Sequence, residues 1–520
     1  MICNKIATQI LNQNGLKLFE DNSKNQELKD LKSLMNIGCE FICHDGQTSD
    51  SSISKLVNLM IHSFQSISPK DKNAKFLSIS ILKFADLYIR GRLRQPVLSL
   101  LIAQEVLPTM LQSSCNLSHI LNGGDVHNGS VGYLLGMDEA LNGKYQLLKE
   151  FLHFVLSLVK SGKHSDITLP CVVFILRDVF ARYRFWNYQK MNDKIIIGKL
   201  CLEIFFTLLR FRKCETLKNS TILHHVCVIM LMEGPCAETL LHMLVDGERE
   251  VVKRVLLTGN ENLFKKDESI LSVRLVLKLI SKLLEIYPEI KKMTSHNNRS
   301  VIEENLFSSS VHNRDNILKM ITHLVYQKLD INLGRTAMFL LEQLSKQFPM
   351  TLLPCLGRNA KFMCDNFLIR LDSFTEDIQM KISFLNFFGI CLDYQPGLAE
   401  MFLNSKQFET SNNSDISSIT CPDILNTILD ILKEKKDQQY FCPYELHLTS
   451  LQFLSKLFCQ PNFVAIGMLK NNNQFWNLLT FPLLNISDNN DFNNENITKN
   501  SIVAPILKII ARYMHLVENK

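Results

Sequence analysis

The sequence predicts an all-α fold: an irregular α-solenoid of the HEAT or armadillo kind, in which helix pairs stack into a superhelix. Three observations predict it. Apolar residues recur at helical spacing through most of the chain. Glycine (20) and proline (14) are scarce for 520 residues, which disfavours collagen-like and turn-dense all-β folds and suits long helices. No run of alternating β-type residues bounded by hairpin turns stands out. Hydrophobic residues make up 46% and charged residues 21%, values that support a buried core and exclude wholesale disorder.

The elements follow in chain order. Polar stretches rich in Asn, Ser and Asp at 20–30 and 45–54 read as solvated loops. Leu77, Ile81, Phe84 and Tyr88 form the first clear helical stripe. The apolar run at 195–209 is broken by Lys199 and Glu203, so it reads as a buried amphipathic helix and not a membrane span, which needs about 18–20 uninterrupted apolar residues. The short piece 194–197 takes its helical assignment from these neighbours. From Val273 the apolar set Val276, Leu277, Ile280, Leu283, Leu284 and Tyr287 lines one helix face, with Arg274, Lys278, Ser281, Lys282 and Glu285 opposite. Asp267 or Ser269 is its expected cap and Pro288 its expected stop. Ile317, Met320, Ile321 and Leu324 mark another helix.

At Pro396-Gly397 one helix is expected to stop and the next to begin, because Pro cannot continue a helix and Gly tolerates a positive φ. A polar loop at 404–420 interrupts the series, and Leu451, Leu454 and Phe458 resume it. Phe475, Trp476, Leu478 and Leu479 are large apolar groups expected in a core between repeats, with Trp476 a buried anchor. The resulting organisation is a continuous solenoid over 1–484, an Asn/Asp-rich linker over 485–500 and a further solenoid helix over 501–520. A helix pair every ~40 residues gives roughly a dozen pairs, each covering the apolar face of its neighbour.

The fifteen cysteines are an odd number and stand mostly alone in apolar stretches, as do Cys171, Cys201 and Cys391. They read as reduced thiols packed as small hydrophobes in a cytoplasmic or nuclear protein. Asn4, Lys5 and Gln9 interrupt any apolar signal-like start, and the sequon Asn219-Ser220-Thr221 is then without meaning.

The sequence offers no catalytic, cofactor-binding or metal-binding residue, and no cofactor is implied. The segment from Gly136 to Lys144 has six residues between Gly136 and Gly143, and Tyr145 follows the lysine. A phosphate loop needs four residues there, then Ser or Thr. His224, His225, Cys227, Cys236 and His242 are the densest group of possible metal ligands. They lack the paired spacing that zinc requires and read as core cysteines on an apolar helix. Cys39, Cys43 and His44 form a weaker group of the same kind. Asp246, Glu248 and Glu250 around Gly247 read as a solvated turn, and no Gly-x-Ser-x-Gly elbow occurs.

The basic and aromatic stretch at 182–190, with Arg182, Arg184, Phe185, Trp186, Tyr188 and Lys190, could in principle stack bases. The plainer reading makes Phe185 and Trp186 core anchors. Arg90, Arg92, Arg94, Arg210, Arg212 and Lys213 add basic character. The net charge of +6, from 57 basic and 51 acidic residues, favours at most a weak, salt-sensitive affinity for nucleic acid.

The last third carries a resemblance. Phe348-Pro-Met-Thr-Leu-Leu-Pro-Cys-Leu-Gly357 leads to Phe367-Leu-Ile-Arg-Leu371 and Thr375-Glu-Asp-Ile378. Gln395-Pro-Gly-Leu398 and Met401-Phe-Leu-Asn404 follow, then Tyr440-Phe-Cys-Pro443 and the stretch from Gln474 to Leu484. Their order, spacing and residue types resemble the large scaffold nucleoporins of the one-eighty-eight family. Residues 1–340 show no equally clear motifs.

The resemblance implies a superhelical α-solenoid in the inner ring of the nuclear pore complex, at the nuclear envelope, that supports passage of protein and RNA. It implies the inner-ring linker nucleoporin of the ninety-three type and Phe-Gly-repeat nucleoporins as partners, with no specific nucleic acid and no membrane span. Family chains are much longer than 520 residues, so the resemblance implies a piece from the front and middle of one. The family's linker-binding tail lies towards its C-terminus, and no binding residue is assigned from it. The alternative reading is an α-solenoid transport receptor or cytoplasmic adaptor. An enzyme with an unrecognised site is the third.

Overall fold

The computed structural model describes residues 101–518 apart from 103–104, 112–116, 122–123, 163, 211–217, 259–267, 295–298, 308–316, 328–329, 404–423, 434–442, 461–465, 468, 470–472 and 485–493. It also describes 78–79, 82, 86 and 98. The stripe from Leu77 to Tyr88 as a whole and the loops at 20–30, 45–54 and 404–420 lie outside the described residues. The remainder is almost wholly helical, as predicted. The exception is a two-residue antiparallel ladder between β1 (Thr109–Met110) and β2 (Val126–His127), too short to register as a strand pattern in sequence.

The described α-helices of five or more residues are α1 (Leu117–Leu121), α2 (Gly129–Leu134), α3 (Gln146–Ser161), α4 (Ser165–Phe174), α5 (Met191–Arg210), α6 (Lys218–Met232), α7 (Gly234–Thr258), α8 (Glu268–Thr294) and α9 (Val301–Phe307). They continue as α10 (Ile317–Tyr326), α11 (Ile331–Gln347), α12 (Leu352–Leu356), α13 (Asn359–Asp372), α14 (Ile378–Tyr394), α15 (Pro396–Leu403), α16 (Ile424–Lys433), α17 (Tyr444–Cys459), α18 (Asn473–Leu484) and α19 (Asn494–Glu518). They divide into two compact units, one of residues 1–243 and 282–302, the other of 244–281 and 303–520.

In the second unit the predicted pairing is explicit. Helices α11, α14, α17 and α19 pack in that order as one layer, and α10, α13, α16 and α18 as the other. Each pair, α10/α11, α13/α14, α16/α17 and α18/α19, thus covers the apolar face of the next, which is the physical rule of a solenoid. Successive pairs begin at Ile317, Asn359, Ile424 and Asn473. The longest interval, from Asn359 to Ile424, contains the polar stretch at 404–420.

Aromatic rings fill the space between the layers. Phe367 on α13 lies 5.0 Å from Phe384 and 6.0 Å from Phe387 on α14. Phe388 lies 4.2 Å from Phe402 on α15. Asp330 and Asp377 start α11 and α14 by accepting hydrogen bonds from first-turn amides, Asn332 N in one case and Gln379 N and Met380 N in the other. Arg370 closes the far end of α13. It pairs with both oxygens of Glu376 at 2.6 and 2.8 Å and donates to the carbonyl of Val325 on α10.

The first unit repeats the layering on a smaller scale: α3 packs on α5, and α4 on α6. Phe151, Phe174, Phe180 and Phe205 are fully buried there.

Several local expectations change. Pro288 lies inside α8, which continues to Thr294, and Ser269 is within its first turn, so neither ends the helix. A proline removes a single backbone donor, and the stripe before it (Ile280, Leu283, Leu284, Tyr287) is buried deeply enough to carry the helix through. Asp246, Glu248 and Glu250 lie on α7, not in a turn. Gly247 among them is needed because a Cβ there would sit 2.2 Å from Cγ2 of Val273 on α8. Helix α19 begins at Asn494, within the stretch read as a linker. Pro396 does open a helix, α15, one residue after α14 ends. Gly397 serves a different purpose from the one expected: a Cβ there would lie 2.6 Å from Cδ2 of Leu353 on α12.

Candidate functional site

The possible metal ligands do not converge. His224 Nε2 lies 2.8 Å from the carbonyl of Leu208, and Cys236 Sγ donates to the carbonyl of Leu176 at 3.2 Å. Cys227 is fully buried, while His242 faces solvent. Burial holds the His225 imidazole below its ordinary pKa, which keeps it neutral. Burial likewise pushes the Cys236 thiol up to about 12 and those of Cys201 and Cys227 further, so none forms a thiolate near neutral pH. Among the described residues no group of three or more His, Cys, Asp and Glu side chains is placed to hold a metal, and the described cysteines form no disulfide with one another. Cys39, Cys43 and His44 lie outside the described residues, as do Arg90, Arg92, Arg94, Arg212 and Lys213.

The segment from Gly136 to Lys144 has a structural role that sequence reasoning missed. Leu135–Glu139 forms a π turn that carries Glu139 inward until it is fully buried. Its two carboxylate oxygens accept from Leu147 N at 2.8 Å and Leu148 N at 3.0 Å, the first amides of α3. A helix N-terminus attracts anions because its amides are unpaired and its dipole is positive. Here the protein's own carboxylate fills the place a phosphate would take.

The stretch at 182–190 folds against that same segment. Trp186 stacks on Tyr145 with centroids 5.2 Å apart and planes 12° from parallel. Tyr145 Oη donates to the carbonyl of Asn187 at 2.8 Å, and Gln189 N donates to the carbonyl of Gly143 at 3.0 Å. Tyr188 Oη donates to the carbonyl of Tyr183 at 2.6 Å. Burial, then the nearby Glu139 carboxylate, push the Tyr145 phenol up to about 12, so it serves as a neutral donor. Gly143 supplies the left-handed φ of +67° that the joint requires.

Trp186 is therefore a half-buried prop, but Phe185 is not the core anchor expected. It is 82% exposed, because the short 3-10 turn Tyr183–Phe185 points Tyr183 inward and leaves Phe185 on the opposite side. Trp476 also differs from expectation in degree. It is half-buried, packed between Phe475 at 5.0 Å and Tyr513 of α19 at 4.5 Å, while Phe475 and Leu479 are fully buried.

No single helix among the described residues is long and apolar enough to cross a membrane. The nearest case is the run through α6 and α7, which is bent by 61° and whose Val226, Val228, Leu231 and Leu240 are buried in the protein.

Helix pairs stacked in layers, with polar groups tied into caps and joints, define an α-solenoid protein. The family profile described as Nucleoporin Nup188, N-terminal subdomain III, matches residues 47–406, and the chain belongs to this family. Nucleoporin NUP188 of Mus musculus is 27% identical over 387 residues, covering 72% of this chain and 22% of its own. The Homo sapiens protein gives the same figures. Nucleoporin Nup188 of Drosophila melanogaster is 24% identical over 380 residues, covering 70% of this chain and 20% of its own. The chain thus spans about a fifth of the length of these relatives.

The family match starts at residue 47, well before the motif-bearing stretch that opens at Phe348.

Proposed function

We propose that this chain forms part of the structural scaffold of the nuclear pore complex, at the nuclear envelope, in its inner ring. There it supports passage of protein and RNA without catalysing a reaction. Its partners on this reading are other nucleoporins, among them the linker of the ninety-three type and Phe-Gly-repeat nucleoporins. The observation that carries the proposal is membership of the Nup188 family over residues 47–406. The layered helix pairs support it, since stacked pairs present extended surfaces to partners. The test is localisation of the tagged chain in living cells. Punctate rim staining at the nuclear envelope is expected; a diffuse cytoplasmic signal would overturn the proposal.

A further inference from the structure

The joint between the segment 136–145 and the stretch 182–191 exposes a surface that its internal contacts leave uncovered. Met137 is 54% exposed, Leu141 73%, Phe185 82% and Met191 67%. Met137 and Leu141 are one helical turn apart, and Leu141 stands two residues before Gly143, whose carbonyl accepts from Gln189 N. Phe185 adjoins Trp186, which is stacked on Tyr145. The apolar groups therefore sit on two segments that are stitched to each other.

The exposed charge that the two segments carry is one-sided. The acids of these segments are turned inward. Glu139 caps α3 and Asp138 accepts from Asn142 Nδ2 at 2.6 Å, while Asp193, two residues beyond, pairs with Lys149 at 2.9 Å. The bases Lys144, Arg182 and Lys190 are exposed and form no ion pair with the described residues. What these two joined segments turn to solvent is four large apolar groups and three unpaired cations.

We infer that this surface docks an acidic peptide segment of a partner protein, one that sets large apolar side chains beside Asp or Glu. The inference rests on the scaffold reading only in taking the partner to be a protein. Charge complementarity selects the acid, and the four exposed apolar groups select its neighbours. Single-stranded nucleic acid is the poorer fit. Stacking binders offer several open ring faces, whereas here Tyr145, Trp186 and Tyr188 are turned on one another and Phe185 alone stands clear.

The test is a random twelve-residue peptide library selected on the full 520-residue chain and counter-selected on a variant carrying Leu141→Asp, Phe185→Asp and Lys190→Glu. All three positions are exposed, so the variant should keep the wild-type circular dichroism and melting temperature. A second variant, Phe185→Ser alone, guards against a folding artefact. Peptides retained by the wild type and lost on the variant should be rich in Asp and Glu beside Phe, Leu or Trp. A labelled representative should bind the triple variant at least tenfold more weakly by fluorescence anisotropy, and the wild type more weakly as salt rises. An absence of variant-sensitive peptides, or their enrichment in basic residues, overturns the inference. So does binding of a labelled oligo-dT or of phosphatidylserine vesicles that the same substitutions abolish while no peptide is selected. Rim staining by the triple variant keeps the scaffold reading standing if the docking inference falls. Loss of rim staining by the wild-type chain sinks the former independently.

Discussion

At the scale of single residues, the groups that matter are polar side chains consumed by the fold. Gln395 is 1% exposed and ties three helix ends together. Its Oε1 accepts from Leu352 N at 3.3 Å, and its Nε2 donates to the carbonyls of Ser345 at 3.1 Å and Phe348 at 2.8 Å. Leucine there would fill much of the same volume but strip Leu352 N and the Ser345 carbonyl of this buried partner, while the Phe348 carbonyl keeps its bond from Thr351 Oγ1 at 2.7 Å. Gln395→Leu should therefore cost about 2–4 kcal/mol, read from urea denaturation at constant slope. A loss below half a kcal/mol would show that water or a shifted backbone replaces those bonds.

Glu342 on α11 gives a residue-scale dependence on pH. Burial raises its pKa from 4.5 to about 7, against the opposing pull of Lys346 one turn on, and Cys391 of α14 faces it. The folded state then binds this proton more tightly than the unfolded chain between those two values. Stability contributed here falls as pH rises from about 4.5 to about 7 and is level above. Glu342→Gln should raise the melting temperature at pH 8, by on the order of 1–3 kcal/mol of stability, and leave it unchanged near pH 4.5. An equal effect at both values would assign the change to packing instead.

At the scale of elements, close approach of helices sets some residue choices against propensity. Alanine is ordinarily about 1 kcal/mol better than glycine within a helix. In α7 the reverse should hold at Gly247, because its Cβ would meet Val273 Cγ2 at 2.2 Å and valine has little rotamer freedom on a helix. Gly247→Ala should destabilise by ~1–3 kcal/mol, and adding Val273→Ala should return most of it. If the single substitution stabilises, the α7–α8 approach is looser than described. Element type was legible in the sequence because it depends on local periodicity: the stripe from Val273 to Tyr287 is buried as expected, although Ser281 of the expected polar face is buried with it. Element ends were less so. Pro288 is carried through α8 by burial on both sides, a tertiary effect with no local signature. The same holds for the surface at 182–190. Its aromatic and basic types were visible, but which ring would turn outward depended on Tyr145, some forty residues away and joined to it only by the fold.

At the scale of the whole molecule, layered pairing predicts that damage stays near where it is made, and Trp476 tests this in the second unit. Its ring bridges α18 and α19 through Tyr513 at 4.5 Å, and its neighbour Phe475 stacks on Phe458 of α17 at 6.1 Å. Removing a half-buried indole should cost about 2 kcal/mol, below the range for a fully buried one. In a stack where each pair touches only the next, that loss should fall on α17, α18 and α19. It should fade through α14 and leave α10 and α11 as protected as before. Hydrogen exchange on the wild type and on Trp476→Ala reads this directly, since exchange reports the free energy of local opening element by element. Faster exchange confined to residues 444–513 supports the quasi-one-dimensional stack. Unaltered protection at Leu451–Phe458 would mean that Trp476 anchors nothing and serves as a contact residue for a partner. Uniform loss of protection through α10 and α11 would mean that these helices unfold as one cooperative body, and the layers would then be a feature of geometry without the energetic independence that stacked pairs imply.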